Sequence, residues 1–345
     1  MKLKSSLTIV AAFLLFITLV PASPARDRVR KVVGTPNNQF LVVNGHPEYW
    51  VDGEPFFEHA AAFFYHRIPR DRWAEELNRL KSMGINTIDL YPFWNWHQPE
   101  EAVLDFDGHT NPQRDLKYLL RLIDVMGFKL TFRPGPFFCS EWRNGGYPDW
   151  LLRRSDYGMS EQAILEGRYP RLSALQYDKS EEAAAGFLEN DTHMKYTRKW
   201  YQDVLALVNP LLADKGGPLI NIQLDDDQAI GFENYNGPDF WKYMDQLRKF
   251  AKEATHESAI PYYLNGRDMR ENAEANDVPA EPFWNTGQDY MDSSPSGVST
   301  IQEAAKNKFL TDILKTQPLF VPMHIEFQAG WLGDEKDTYA MATDP

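Results

Sequence analysis

The alternation of short apolar runs with amphipathic helical stretches constrains the fold of this chain more than any other feature of its sequence. Short apolar runs predict buried strands, while apolar residues at helical spacing predict helices that bury one face. Strands separated in this way by helices run parallel, because each helix returns the chain to the starting edge of the sheet. The pattern therefore predicts an α/β fold in which helices cover a parallel sheet.

Seven strands and five helices follow from this pattern. The strands are predicted at 56–63, 86–93, 129–138, 219–224, 261–264, 281–285 and 319–327. The helices are predicted at 70–83, 112–126, 192–212, 238–254 and 298–314. Seven parallel strands with crossover helices indicate a (β/α)8 TIM barrel. Because the sequence stops at Pro345, soon after the seventh strand, we interpret the barrel as C-terminally incomplete.

A secretory signal peptide is predicted over 1–25, which precedes the folded chain. It carries Lys2 and Lys4, then an apolar run over 7–20 that is too short for a stable membrane anchor, and then small residues. Its removal changes the formal charge from -13 to -15, because it contains two lysines and no acid. So acidic a chain disfavours nucleic acid and anionic membranes as partners. From the signal peptide we expect the protein to be exported and to be periplasmic or extracellular.

The mature chain is predicted to form one folded domain. Residues 26–39 are polar and are interpreted as a loose lead-in segment, and 40–345 as the barrel domain. Residues 156–190 are interpreted as a loop insertion. The single cysteine, Cys139, cannot form an internal disulfide, so the stability of the exported protein has to come from its core. No later segment is predicted to cross a membrane.

Two of the predicted strands end in carboxylates. The strand that begins at Leu219 runs into three successive aspartates, and the strand over 319–327 contains Glu326 near its end. In a barrel, the carboxyl ends of all strands meet at one mouth. Two acids at such a mouth are the minimum needed to cleave a glycosidic bond, one protonating the leaving oxygen and one attacking or polarising the sugar carbon. The sequence therefore predicts a sugar hydrolase.

Several segments resemble, in the same order, the signatures of the family 35 glycoside hydrolases, which are retaining β-galactosidases built on a barrel. The resemblance runs from Phe40 to Trp331, and its clearest segments are 64–70, 84–99, 133–142, 145–150 and 216–223. It implies an O-glycosyl hydrolase that acts on terminal β-galactosides or a related β-glycoside. A carbohydrate is accordingly the expected partner.

The resemblance also implies roles for individual residues. Glu326 matches the family nucleophile, and Asp227 stands at the position of the acid/base. The remaining matched positions are expected to contact the sugar, and these are Tyr91, Cys139, Ser140, Glu141, Asp226 and Trp331.

The acid/base segment departs from the family pattern, because Gln223-Leu-Asp-Asp-Asp227 stands where the family has Gln-Val-Glu-Asn-Glu. The shorter side chain of Asp227 withdraws its carboxyl by ~1.5 Å, which widens a retaining separation of ~5.5 Å towards the inverting range near ~7 Å. Three outcomes stay open: a retaining enzyme whose backbone compensates, an inverting enzyme, and a non-catalytic sugar binder.

The other two aspartates of the triplet have consequences of their own. An ionised Asp226 accepts hydrogen bonds but cannot donate one to a sugar 2-hydroxyl, so a sugar with a 2-amino group is an alternative substrate. Three adjacent carboxylates repel one another, which raises the proton affinity of at least one and favours a protonated acid.

No metal and no cofactor is predicted. In a continued strand, Asp225 and Asp227 would point one way and Asp226 the other, so the triplet would not form a chelating loop. His66 and Arg67 are interpreted as scaffold contacts at the mouth. Exposed indoles that could stack on a pyranose ring are predicted at Trp94, Trp96, Trp142 and Trp331.

Overall fold

The computed structural model describes most of the region that precedes residue 266. The described residues are 29–44, 46–138, 142–162, 188–225, 238–258, 260–265, 285–287, 290–291 and 327–328. Among them, no helix is long and apolar enough to cross a membrane.

A six-stranded parallel sheet forms the centre of the described structure. Its strands lie side by side in chain order: β5 Ala60–Ala62, β6 Thr87–Leu90, β7 Lys129–Phe132, β8 Leu219–Gln223, β9 Tyr262–Asn265 and β10 Asn285–Gly287. Every pairing between neighbours is parallel. This confirms the predicted α/β architecture, and within the described residues the sheet remains open. Two further strands, β11 Tyr290–Met291 and β12 Phe327–Gln328, pair in parallel with each other.

Several strands end earlier than predicted at the carboxyl edge. Strand β7 was expected to reach Phe138 but ends at Phe132, because Pro134 and Pro136 have no backbone N–H for the ladder. The strand predicted over 86–93 likewise ends at Leu90. Of the strand predicted over 319–327, only its last residue is described, and the helix predicted over 298–314 lies outside the described residues.

Four of the five predicted helices fall within the described residues. The α-helices are α1 Trp73–Ser82, α2 Trp94–His97, α3 Leu116–Val125, α4 Asp149–Leu152, α5 Asp191–Val208 and α6 Pro238–Ala254. Short 3-10 helices are Tyr65–Arg67, Arg70–Arg72, Pro112–Arg114, Arg143–Gly146, Asn209–Leu211 and Ala213–Lys215. Side chains cap two of the longer helices: Asp115 accepts from the backbone N–H of Tyr118, and Asn190 from that of His193.

The two faces of the sheet differ in polarity. Apolar side chains such as Ile88, Leu130 and Phe132 pack into one large core with residues of the helices. Alternate positions on the same strands are polar and buried, and they are Thr87, Asp89, Thr131, Asn221 and Gln223. Because strand residues alternate between faces, helices cover the apolar face while the other face carries polar groups inward.

An antiparallel sheet precedes the parallel one and corrects our interpretation of residues 26–39. Instead of a loose lead-in, these residues contain most of a hairpin. Its strands are β1 Val29–Thr35, β2 Asn38–Val43, β3 His46–Val51 and β4 Glu54–Pro55. The Asn38 amide and the Tyr49 hydroxyl both donate to the backbone carbonyl of Ile220 in β8, which fastens this sheet to the parallel one.

Candidate active site

Polar residues gather where three neighbouring strands reach their carboxyl ends. Tyr91 follows β6, Arg133 follows β7, and Asp225 comes two residues after β8. Their exposed fractions are 4%, 1% and 1%, so all three side chains belong to the interior. This edge is where active sites lie in parallel barrels.

A buried ion pair organises the first two of these strands. The Arg133 guanidinium donates through Nε to both carboxylate oxygens of Asp89, at 3.0 and 2.9 Å. It also lies 4.5 Å from the centre of the Tyr91 ring, and the Phe64 ring stacks on Tyr91 at 5.2 Å. These contacts hold the Tyr91 ring in one orientation, at the strand end where the sequence predicts a sugar contact.

Glu58 is a second carboxylate on the polar face of the sheet, and sequence reasoning missed it. Its half-buried side chain accepts from Thr131 Oγ1 at 2.7 Å and from Asn221 Nδ2 at 3.1 Å. Burial raises the pKa of Glu58 to about 7, against the opposing effect of the Thr131 hydrogen bond and with a further rise from the charge of Asp89. No pattern in the sequence distinguishes this glutamate, because its partners come from distant strands.

Asp225 departs from the extended conformation that we predicted for the aspartate triplet. Strand β8 ends at Gln223, and Asp225 has a left-handed backbone with φ 62°. Its N–H donates to the Gly135 carbonyl at 3.1 Å, and its carboxylate accepts from the Phe137 N–H at 2.9 Å. The strand alternation that we assumed for the triplet is therefore wrong at its first member.

An aromatic cluster lies beside Tyr91. The Phe93 ring stacks on the Trp142 indole at 4.5 Å, and the His66 ring contacts both, at 4.6 and 4.3 Å respectively. The Arg67 guanidinium lies 5.7 Å from the Trp142 ring. His66 and Arg67 thus make the scaffold contacts that were predicted for them.

The described tryptophans differ in their availability to a ligand. Trp96 and Trp142 are half-buried and keep part of their surface exposed. Trp94, which we expected to be exposed, is 1% exposed and stacks on Trp200 at 5.5 Å. The prediction fails there because α2 begins at Trp94 and directs this side chain into the core, where it contacts α5.

The remaining predicted site residues lie outside the described part of the chain. They are Cys139, Ser140, Glu141, Asp226, Asp227, Glu326 and Trp331. Their roles stay predictions. Within the described residues, no group of His, Cys, Asp and Glu side chains is arranged to hold a metal ion.

Comparison with known proteins identifies the family that the chain resembles. Residues 48–163 match the family model described as "Glycosyl hydrolases family 35". The matched region contains β5, β6 and β7 with the segments that follow them, and therefore Tyr91 and Arg133.

Individual relatives agree with the family match. An exo-beta-D-glucosaminidase of Pyrococcus horikoshii is 31% identical over 256 residues, which cover 72% of this chain and 29% of the relative. The exo-beta-D-glucosaminidase of Thermococcus kodakarensis is 35% identical over 52% of this chain and 22% of the relative. The beta-galactosidase of Felis catus is 31% identical over 64% of this chain and 28% of the relative. The chain thus spans less than a third of each of these relatives, and it resembles the catalytic domain of the family 35 glycosyl hydrolases.

Proposed function

We propose that this chain is the catalytic part of an exported β-glycosidase that removes a terminal β-D-galactosyl or β-D-glucosaminyl unit. The observation that carries the proposal is the family 35 match over 48–163, which includes three parallel strands and the segments at their carboxyl ends. A (β/α)8 barrel completes the proposed fold. Its closure would use residues outside the described ones, with the strand predicted over 319–327 as the seventh.

The proposed mechanism uses two carboxylates. Glu326 attacks the anomeric carbon and forms a glycosyl-enzyme bond, while Asp227 gives its proton to the leaving oxygen. Asp227 then removes a proton from water, and the water oxygen attacks the anomeric carbon and releases Glu326. Both steps invert that carbon, so the product keeps the β configuration.

The described residues support binding of a pyranose at the carboxyl edge of the parallel sheet. A sugar ring needs hydrogen-bonding groups for its hydroxyls and a flat apolar surface for its C–H face. Tyr91, held by Arg133 and Phe64, supplies a phenol in a fixed orientation. The half-buried indoles of Trp96 and Trp142 supply apolar surface close by.

The choice between the two sugars depends on Asp226. A carboxylate at this position would form a charge-assisted hydrogen bond with the ammonium group of a 2-amino sugar. The two archaeal relatives named as exo-beta-D-glucosaminidases support the glucosaminide, and the mammalian beta-galactosidase supports the galactoside. An Asp226→Asn variant is expected to shift the ratio of kcat/KM values towards the galactoside.

Hydrolysis of 4-nitrophenyl β-D-galactoside and 4-nitrophenyl β-D-glucosaminide by the full chain tests the proposal. Glu326→Gln and Asp227→Asn are expected to lose turnover, whereas Asp124→Asn, which removes an exposed carboxylate on α3, should retain it. The anomer of the first product, followed by NMR, reports the stereochemistry. An α anomer would replace the retaining mechanism with an inverting one.

A non-catalytic sugar-binding protein is the competing function, and the aspartate triplet is the observation that favours it. Saturable binding of galactose or glucosamine by calorimetry, without turnover of either aryl glycoside, would establish that reading. Turnover that depends on Glu326 would exclude it.

We also propose that the protein is exported, on the basis of the predicted signal peptide over 1–25. Expression of the entire reading frame in a bacterial host, followed by N-terminal sequencing, tests this. A mature protein that begins near residue 26 outside the cytoplasm is expected, and an intact N-terminus in the cytoplasm would contradict export.

A further inference from the structure

We propose that Asp225 is a positioning residue that fastens the carboxyl end of β8 to the loop after β7, and that its carboxylate acts electrostatically on Asp227, two residues further along the chain. The structure assigns this role from the contacts of the Asp225 backbone and carboxylate. The catalytic consequence rests on the proposed function, in which Asp227 is the acid.

The fastening consists of two hydrogen bonds that run in opposite directions. The Asp225 N–H donates to the Gly135 carbonyl at 3.1 Å, and the Phe137 N–H donates to the Asp225 carboxylate at 2.9 Å. The left-handed backbone at Asp225 makes this geometry accessible, and aspartate tolerates that conformation better than most residues. Together these bonds fix the end of β8 against the loop that begins after β7.

Helix α5 braces the same loop. The Trp200 indole donates to the Pro134 carbonyl at 2.7 Å, and the Tyr201 hydroxyl donates to the Gly135 carbonyl. Gly135 has no room for a side chain, because a Cβ atom there would lie 2.6 Å from the Phe138 ring. The loop is therefore held on both sides just before Glu141, the residue predicted to contact the sugar.

The charge of the Asp225 carboxylate acts on phenol groups from three elements. Burial is the main cause of the raised pKa values of Tyr147, Tyr201 and Tyr243, and the charge of Asp225 contributes to each of them. These residues belong to the segment after Arg143–Gly146, to α5 and to α6. Neutral phenols, unlike a cation, leave the charge of a buried carboxylate uncancelled.

A buried imidazole extends this network away from the sheet edge. His193 hydrogen-bonds through Nδ1 to the Tyr157 hydroxyl at 2.9 Å and through Nε2 to the Tyr243 hydroxyl at 3.1 Å. Burial lowers the pKa of His193 to about 3, so the ring is neutral and has one N–H. If Tyr157 donates to Nδ1, the Nε2–H of His193 donates to the Tyr243 hydroxyl, so the ring joins the two phenols.

The charge of Asp225 bears on the acid that follows it. Covalent geometry limits the Cα atom of Asp227 to within about 7.6 Å of that of Asp225. For two carboxyl groups ~10 Å apart and an effective dielectric constant of ~20, a negative charge on one raises the pKa of the other by about one unit. A general acid must be protonated to work near neutral pH, so an ionised Asp225 would extend the pH range in which Asp227 can donate.

The test compares two variants of the full chain. Asp225→Asn keeps an oxygen that accepts from the Phe137 N–H and removes the charge, whereas Asp225→Ala removes both. On the better of the two aryl glycosides, Asp225→Asn should lower the alkaline limb of the kcat profile by about one pH unit and keep the plateau within about threefold. An alkaline limb that does not move would overturn the electrostatic part, because a purely structural role predicts a lower plateau at an unchanged pKa.

A second readout does not depend on activity. Exchange of the Phe137 amide proton, followed by NMR, should accelerate about tenfold or more in Asp225→Ala and much less in Asp225→Asn. If Asp225→Ala does not fold, Asp225→Ser, whose hydroxyl is too short to reach the amide, takes its place. Unchanged exchange at Phe137 would overturn the fastening. If the unmodified chain hydrolyses neither glycoside, the proposed function fails, and the exchange rates still decide whether Asp225 fastens the loop.

Discussion

Glu58 should make the folded protein less stable as the pH rises towards neutrality. Burial, the main cause, raises the pKa of Glu58 from 4.5 to about 7 in the folded state. A carboxyl that binds its proton more tightly when folded favours folding at low pH, and this contribution disappears as the pH rises from 4.5 to 7. The shift corresponds to at most about 3 kcal/mol. Because the side chain is only half-buried and solvent screens its charge, we expect about 1–2 kcal/mol.

Replacement of Glu58 by Gln removes the titration and keeps the shape of the side chain. The glutamine carbonyl can still accept from Thr131, and the Asn221 amide can rotate so that its carbonyl accepts from the new amide. Urea unfolding at pH 5 and at pH 8 measures the effect, with Asp124→Asn as the control at an exposed site. Other groups titrate over the same range, so the informative quantity is the difference between the two proteins in their change of unfolding free energy.

The expected result is that the unmodified chain loses about 1–2 kcal/mol more than Glu58→Gln between these pH values. Equal pH dependence in the two proteins would refute the reasoning, since it would mean that Glu58 is ionised at pH 5 in the folded state. Lower stability of the variant at both pH values would show that the amide does not fit between its two partners.

Three further predictions concern other buried groups. Arg133→Met should lower the unfolding free energy by about 3–5 kcal/mol because it removes the cation that faces the buried Asp89 carboxylate, and adding Asp89→Leu should recover most of the loss in urea unfolding. Gly135→Ala should lower the unfolding free energy by about 1–3 kcal/mol, because φ is 77° and the new Cβ would meet the Phe138 ring. A variant that melts at the wild-type temperature would contradict this. Burial lowers the pKa of His193 to about 3, so stability should fall by about 2–4 kcal/mol as the pH drops from 6.5 towards 3, and His193→Gln should flatten that part of the profile.

The parts of the fold that could be predicted are those with local signals. Helix α6 has the bounds 238–254 that the sequence predicts, because a proline opens it and an amphipathic pattern continues to its end. The hairpin formed by β1 and β2 was missed, since its strands are polar in part and are stabilised by contacts with β8 far along the chain. The length of β7 was overestimated because Phe137 and Phe138 extend the apolar run past two prolines.

Some residues of the candidate site could likewise be located from local sequence signals, and others could not. Tyr91 could be located from its motif and its place after an apolar run, and the structure puts it at the carboxyl end of β6. Glu58 could not, because its partners lie 73 and 163 residues away in sequence. Trp94 could not be assigned to the core because periodicity over a four-residue helix is too short to show which face is buried.

The attachment of the antiparallel sheet to Ile220 has a practical consequence for how this domain can be shortened. The family match begins at residue 48, inside β3, so a fragment cut there would lose β1 and also β2, which begins at Asn38. The carbonyl of Ile220 would then lose one of its two side-chain donors, and the strand that carries Tyr49 would lose its pairing with β2 and keep only the two-residue β4 as a neighbour. The smallest fragment that folds is expected to start before residue 29, well ahead of the region by which the family is recognised.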